Sequence, residues 1–117
     1  EDFIPKNIDL PLLDAVIPVD DRESLTMARR LLVEEGLFVG TSAGTAVSAA
    51  LKWTDSLGAE AKGKNVLVLL PDSGDRYMSK LWNDEWMEEN GILDSKSKRM
   101  PKVTLMEGAK TPYGLKR

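Results

Sequence analysis

The sequence of 117 residues predicts an α/β fold in three layers, with helices flanking a parallel or mostly parallel sheet. Apolar runs at residues 37–39 and 66–70 each stop at a polar or glycine-rich turn, which is typical of buried strands. A segment with apolar residues at helical spacing precedes each of these runs. Because strands and helices alternate, right-handed crossovers would place the strands side by side in one sheet.

The first strand and the first helix are expected in the N-terminal third of the chain. Residues 15–19 have the pattern of a short strand, although Pro18 indicates the edge of a sheet or the end of the strand. Asp20 can cap the helix that follows, and Glu23, three residues later, completes a capping box. Gly36 is expected to end this helix in the left-handed conformation.

The remaining elements are predicted from glycines and helical spacing. A tight turn is expected at residues 40–44, a helix over residues 45–57 with its end at Gly58, and short helices at residues 75–80 and 85–90. Only three strands are visible, and one face of each helix lacks a partner, so the sequence predicts half of a domain. The chain begins without a methionine, and we therefore expect it to be part of a longer protein.

The composition excludes several kinds of chemistry. Cysteine and histidine are absent, which excludes disulfides, Cys/His zinc sites, cysteine nucleophiles and Ser-His-Asp catalysis within this chain. No apolar run approaches the ~20 residues of a membrane span, and the N-terminus lacks the basic flank and long apolar core of a signal peptide. The lack of cysteine fits a reducing compartment, and we expect a cytoplasmic protein without a metal site.

Charge divides the chain into two parts. Residues 1–93 carry 9 basic and 17 acidic side chains, whereas residues 94–117 carry 7 basic and 2 acidic ones. The basic tail contains few aromatic residues and follows an acidic body, so it favours a solvated linker over a nucleic-acid-binding segment.

Two strand-end loops are the candidate site. Residues 40–44 match G-x-S-x-G, the nucleophile elbow of α/β hydrolases, but the histidine that such a serine requires is absent. Two interpretations remain: a turn that lets a helix start close to a strand, or a loop that offers N–H groups and the Ser42 hydroxyl to an anion. Asp72 and Ser73 follow the last strand, either as helix caps or as ligand-binding groups. Because both loops follow strands of one sheet, we expect them to form the floor of a binding site.

Four blocks of the sequence carry a resemblance to a known family. They are residues 2–5, 31–44, 68–80 and 82–87. Together they resemble the cystathionine β-synthases and the related cysteine synthases, which are fold-type-II pyridoxal-phosphate enzymes. The resemblance implies that residues 1–93 are the C-terminal part of the catalytic domain, half of the fold-type-II large domain. It also implies that residues 94–117 are a basic linker toward a possible regulatory domain.

The resemblance implies roles for particular residues. Ser73 matches the serine whose hydroxyl meets the pyridine nitrogen of pyridoxal 5'-phosphate. The expected wall of the substrate pocket consists of Gly40, Thr41, Ser42, Ala43 and Gly44. Thr41 departs from the Gly-Gly-Ser that is commoner in the family. The Schiff-base lysine is expected upstream, so no catalytic residue is expected in this chain.

The resemblance also implies a reaction and partners. We expect part of a lyase that condenses serine with homocysteine to cystathionine. One alternative is a cysteine synthase that uses an activated serine and sulfide, and another is a non-catalytic α/β interaction module. The expected partners are the N-terminal remainder of the catalytic domain, amino-acid substrates and a second subunit in a homodimer, with neither nucleic acid nor membrane.

Overall fold

The structure is a computed structural model that describes residues 4–94. Three α-helices are present in this range: α1 (Asp21–Glu35), α2 (Thr41–Leu57) and α3 (Asp84–Glu89). Three short 3-10 helices lie at Leu10–Leu12, Gly58–Ala61 and Gly74–Tyr77. Of the predicted basic tail, residues 95–117 lie outside the described residues, and so its role as a linker stays a prediction.

Both predicted ends of α1 are confirmed. The Asp20 carboxylate accepts a 2.8 Å hydrogen bond from the backbone N–H of Glu23, and the Asp20 N–H donates to the Glu23 carboxylate at 3.1 Å. This reciprocal pair satisfies two N–H groups that a helix start would otherwise leave without partners. At the other end Gly36 has a φ of 72°, and its N–H donates to the Leu32 carbonyl at 3.1 Å.

The prediction for the start of α2 was wrong by one turn. The helix begins at Thr41 rather than at residue 45, with Gly40 as its extended N-cap residue. Residues 41–44, predicted as a tight turn, are therefore the first turn of α2. Since small residues such as these can adopt helical geometry, the G-x-S-x-G spacing does not require a separate turn. The predicted end of the helix at Gly58 is confirmed.

The three predicted strands do not pair into a sheet within residues 4–94. The only strand-like pairing in this range is an isolated antiparallel bridge between Val39 and Ser73. A strand is defined by hydrogen bonds to a neighbouring strand, and these segments do not supply one another with that neighbour. Leu67 and Leu69, in the last predicted strand, are 99% and 81% exposed. The parallel sheet therefore stays a prediction.

Helices α1 and α2 pack tightly against each other at Gly44. A Cβ atom added there would overlap the backbone carbonyl oxygen of Ser24 and lie 2.8 Å from the backbone nitrogen of Ala28. The Thr45 hydroxyl donates a 2.9 Å hydrogen bond to the Ser24 hydroxyl beside this contact. The helices can approach this closely because position 44 carries no side chain.

Residues 81–93, here called the C-terminal segment, are held on α1 by two arginines. Arg29 is only 5% exposed; its Nε donates to the Leu81 carbonyl at 2.7 Å, and its Nη1 forms an ion pair with Asp84. Arg22 donates to the carbonyl oxygens of Ile92, at 3.1 Å, and of Gly91. The apolar core is shared between the helices and this segment. It comprises Leu25, Ala28, Leu31, Val39, Ala43, Leu81, Met87, Ile92 and Leu93.

The two short helices that the sequence predicts near the end of the chain differ in outcome. The one expected at residues 85–90 is confirmed as α3, where the Asn83 side chain accepts a 3.1 Å hydrogen bond from the N–H of Trp86. At residues 75–80 the structure has instead a single 3-10 turn, Gly74–Tyr77. In the described part of the chain, no helix is both long and apolar enough to span a membrane.

Candidate functional site

The two loops singled out from the sequence lie side by side. The Gly40 N–H donates to the Asp72 carbonyl at 3.1 Å, and the Gly74 N–H donates to the Phe38 carbonyl at 3.2 Å. These two hydrogen bonds flank the bridge between Val39 and Ser73. Ser73 is therefore positioned next to the N-terminus of α2, while the prediction that the two loops form the floor of a binding site stays a prediction.

Gly40 is in close contact with both Asp72 and Tyr77. A Cβ atom at position 40 would overlap the Asp72 carboxylate and lie 2.6 Å from Cε2 of Tyr77. The backbone at the start of α2 thus packs directly on the side chains of the second loop. Any larger residue at position 40 would push the two loops apart.

The Asp72 carboxylate is bound by Tyr77. The Tyr77 hydroxyl donates a 2.7 Å hydrogen bond to Oδ2 of Asp72. This bond raises the pKa of the Tyr77 phenol, with smaller contributions from desolvation and from the Asp72 charge, against opposing effects of Thr41 and Arg76. The phenol therefore stays protonated and acts as a donor at neutral pH. The other oxygen, Oδ1 of Asp72, is buried and has no hydrogen-bond partner among the described residues.

Ser73 is exposed and occupies the N-cap position of the 3-10 helix Gly74–Tyr77. Its side chain makes no capping hydrogen bond there, and the Asp72 side chain bonds Tyr77 instead. The sequence allowed Asp72 and Ser73 to be helix caps, and in the structure neither side chain acts as one. The Ser73 hydroxyl is left available to an external hydrogen-bonding group.

A second contact fixes the other end of the same turn. The Trp82 Nε1–H donates to the Gly74 carbonyl at 3.0 Å, and the Trp82 ring lies 5.0 Å from the Phe38 ring, tilted by 38°. Ser73 is thus flanked by two anchored residues: Asp72 is held by Tyr77, and Gly74 is held by Trp82. The sequence did not indicate these roles of Tyr77 and Trp82. A tyrosine just after an acidic turn was the signal that could have shown the first contact.

The five predicted pocket-wall residues have different surroundings. Gly40 is buried between the two loops, Thr41 is half-buried and Ser42 is exposed at the start of α2. Ala43 and Gly44 are buried, and Gly44 contacts the backbone of α1. The structure therefore brings Gly40 and Thr41 next to the Asp72 loop, while Gly44 contacts the opposite helix. Their role in a pocket wall stays a prediction.

Two cavities lie away from these loops. One of about 550 Å³ is lined by the end of α2 and residues 60–66, with Trp53, which is 44% exposed, in its wall. Another of about 390 Å³ lies between the exposed faces of α1 and α2. Neither is lined by Ser73 or by residues 40–44. Within residues 4–94 no group of acidic side chains could hold a metal ion.

Comparison with known proteins finds relatives among cystathionine beta-synthases and cysteine synthases. It is 45% identical over 97 residues to a cystathionine beta-synthase of Dictyostelium discoideum, a match that covers 83% of this chain and 19% of the relative. It is 48% identical over 77 residues to cysteine synthase A of Escherichia coli, covering 66% of this chain and 23% of the relative. Cystathionine beta-synthase of Oryctolagus cuniculus is 41% identical over 93 residues, 80% of this chain and 16% of the relative. No protein-family model matches.

These relatives define a class of synthases, and the resemblance predicted from the sequence is confirmed. The chain belongs to the family of cystathionine β-synthases and cysteine synthases. It spans only about a fifth of the length of the curated relatives it matches.

Proposed function

We propose that this chain is part of the catalytic domain of a pyridoxal-phosphate enzyme that replaces the β-hydroxyl of serine with the sulfur of homocysteine, giving cystathionine. The observation that carries the proposal is the meeting of the two loops, in which Ser73 lies beside the start of α2. The names of the relatives from Dictyostelium discoideum and Oryctolagus cuniculus support the choice of reaction. The proposed fold is the α/β architecture with a parallel sheet, whose other strands would come from the rest of the enzyme.

The residues present fit pyridoxal phosphate at one point, its pyridine nitrogen. Ser73 is exposed, its hydroxyl makes no capping bond, and its neighbours on both sides are anchored by side chains. A hydroxyl can hydrogen-bond the ring nitrogen without keeping it protonated, whereas a carboxylate would favour protonation. When bound, the cofactor supplies an electron sink for the amino-acid substrate, and a milder sink favours β-replacement over transamination.

The other residues of the site would shape the space around that nitrogen. Gly40 lets the start of α2 approach the Asp72 loop, which sets the distance between Ser73 and the first turn of the helix. Thr41 and Ser42 would line the substrate side of this space, where the N–H groups of the first turn favour an anionic group. The carboxylate of Asp72 is engaged by Tyr77, so Ser73 remains the group offered to the ring nitrogen.

The test is made on the enzyme that contains this chain together with its complete catalytic domain. We expect a visible absorption band from the bound cofactor and formation of cystathionine from serine and homocysteine. Ser73→Ala should lower turnover about tenfold while leaving the folded state intact, because one hydrogen bond to the cofactor is lost. Ser56→Ala, which removes a hydroxyl at the far end of α2, is the matched control. Unchanged turnover in Ser73→Ala would contradict the role given to this serine.

The alternative reaction is that of a cysteine synthase, which makes cysteine from an activated serine and sulfide. The 48% identity to cysteine synthase A of Escherichia coli supports it equally well. Parallel assays of cystathionine and cysteine formation distinguish the two. A non-catalytic interaction module is disfavoured by the exposure of Leu67 and Leu69, because such apolar side chains need a covering surface. Within this proposal the enzyme is a cytoplasmic homodimer.

A further inference from the structure

Asp72 makes three separate contacts where the two loops of the site meet. Its carbonyl oxygen accepts the N–H of Gly40, its Oδ2 accepts the hydroxyl of Tyr77, and its buried Oδ1 packs against the Cα of Gly40. The carboxylate therefore occupies the space that a side chain at position 40 would otherwise fill. Its orientation determines how closely the start of α2 can approach the turn that carries Ser73.

Tyr77 is the group that fixes this orientation. Within residues 4–94, the hydrogen bond to the Asp72 carboxylate comes from the Tyr77 hydroxyl. The Tyr77 ring lies against Gly40. Without that hydroxyl, the half-buried carboxylate would have no hydrogen-bond partner on either oxygen and would rotate toward solvent, because a charged oxygen without a partner is unfavourable away from water. The contact with Gly40 would then be lost together with the bond to Tyr77.

We propose that Tyr77 is a positioning residue, which holds the Asp72 carboxylate against Gly40 and thereby sets the place of the Ser73 hydroxyl relative to the start of α2. This inference rests on the proposed function, since the place of Ser73 matters for binding the pyridine nitrogen of pyridoxal phosphate. Tyr77 acts through Asp72 and does not itself touch the cofactor. The indole of Trp82 holds the other side of the same turn through Gly74 and is independent of this contact.

The test uses Tyr77→Phe in the complete enzyme, because phenylalanine keeps the ring against Gly40 and removes only the hydroxyl. The first measurement is amide hydrogen exchange, which needs no cofactor. We expect about tenfold faster exchange of the Gly40 N–H, which donates to the Asp72 carbonyl. The second measurement is the dissociation constant of pyridoxal phosphate, followed by absorption, which should rise about tenfold, as expected for loss of a hydrogen bond to a charged group.

Two further variants make the result specific. Ser56→Ala removes one hydroxyl hydrogen bond at the far end of α2 and should change neither measurement. Asp72→Asn retains a carbonyl oxygen that can accept the Tyr77 hydroxyl, so Gly40 exchange should stay within about threefold of the unsubstituted enzyme. Slow Gly40 exchange in Asp72→Asn would show that the hydrogen bond from Tyr77, and not the charge of Asp72, holds the contact.

The outcomes distinguish this inference from the proposed function. Faster Gly40 exchange with weaker cofactor binding supports the inference. Unchanged Gly40 exchange in Tyr77→Phe overturns it, whatever the cofactor does. Faster exchange with unchanged cofactor binding overturns the link between Tyr77 and Ser73. If the unsubstituted enzyme takes up no pyridoxal phosphate, the proposed function fails and the link to the cofactor fails with it, whereas faster Gly40 exchange would still support the positioning of α2.

Discussion

Replacing Gly44 with alanine tests the contact between α1 and α2, because two effects of opposite sign compete at this position. Alanine is favoured over glycine in a helix interior by about 1 kcal/mol, so helix propensity alone predicts a more stable protein. The added Cβ would lie 2.8 Å from the backbone nitrogen of Ala28, where ordinary contact begins at 3.4 Å, and it would overlap the Ser24 carbonyl more severely. The obstructing atoms belong to the backbone of α1, so the whole helix must retreat by more than half an ångström.

The steric penalty of the added methyl group should exceed the gain in helix propensity. Overpacking of this kind costs about 1–3 kcal/mol, and the movement of α1 also weakens the hydrogen bond from Thr45 to Ser24. We expect Gly44→Ala to lower the free energy of unfolding by up to about 2 kcal/mol once the gain in helix propensity is subtracted. Urea unfolding of the enzyme, with amide exchange of α1 to localise the effect, measures this change. Ser56→Ala, at an exposed position of α2, is the control. A gain in stability of about 1 kcal/mol would refute the close approach of the two helices.

Three further predictions concern α1. Asp20→Ala removes the capping box and should lower the free energy of unfolding by about 1 kcal/mol. The effect is measured as faster hydrogen exchange of the first amides of α1, and unchanged exchange would exclude the cap. Arg29→Met leaves the Asp84 carboxylate without its ion pair and should lower the free energy of unfolding by about 3 kcal/mol, measured by urea titration. A decrease below about 1 kcal/mol would contradict the structure. The hydrogen bond from Lys52 lowers the pKa of Glu23 below 4.5, so its stabilising effect is present above pH 4.5 and is lost as the pH falls through the lowered value. Lys52→Met should therefore reduce the dependence of stability on pH below pH 4.5, and an unchanged acid titration would contradict the pair.

The parts of the fold that the sequence predicted correctly depend on local signals. Asp20 and Glu23 interact across three residues, and Gly36 adopts a conformation that its lack of a side chain permits, so both ends of α1 could be predicted. The meeting of the two loops was also expected, because both follow predicted strands. The contact itself is an antiparallel bridge between Val39 and Ser73, which strand order alone did not indicate.

The parts that could not be predicted depend on distant residues. Arg29 bonds a carbonyl group 52 residues away, and no pattern in the sequence identifies a main-chain partner. The early start of α2 was missed because Gly44 looks like part of a glycine-rich turn until its contact with α1 is known. Tyr77 was missed because its partner is a carboxylate that also had a plausible role as a helix cap. The predicted strands are neither confirmed nor excluded. A strand is recognised by its pairing with a neighbouring strand, and residues 4–94 contain only the isolated bridge between Val39 and Ser73.

The main-chain hydrogen bonds between α1 and the C-terminal segment constrain the length of that segment. Arg22 and Arg29 bind the carbonyl oxygens of Leu81, Gly91 and Ile92, which every amino acid possesses. A substitution at these positions does not remove the carbonyl acceptor, although Leu81 and Ile92 also belong to the apolar core, whereas the insertion or deletion of one residue between them would move one acceptor away from its arginine. The two arginines thus require a fixed number of residues between their acceptors, independently of the side chains that those residues carry.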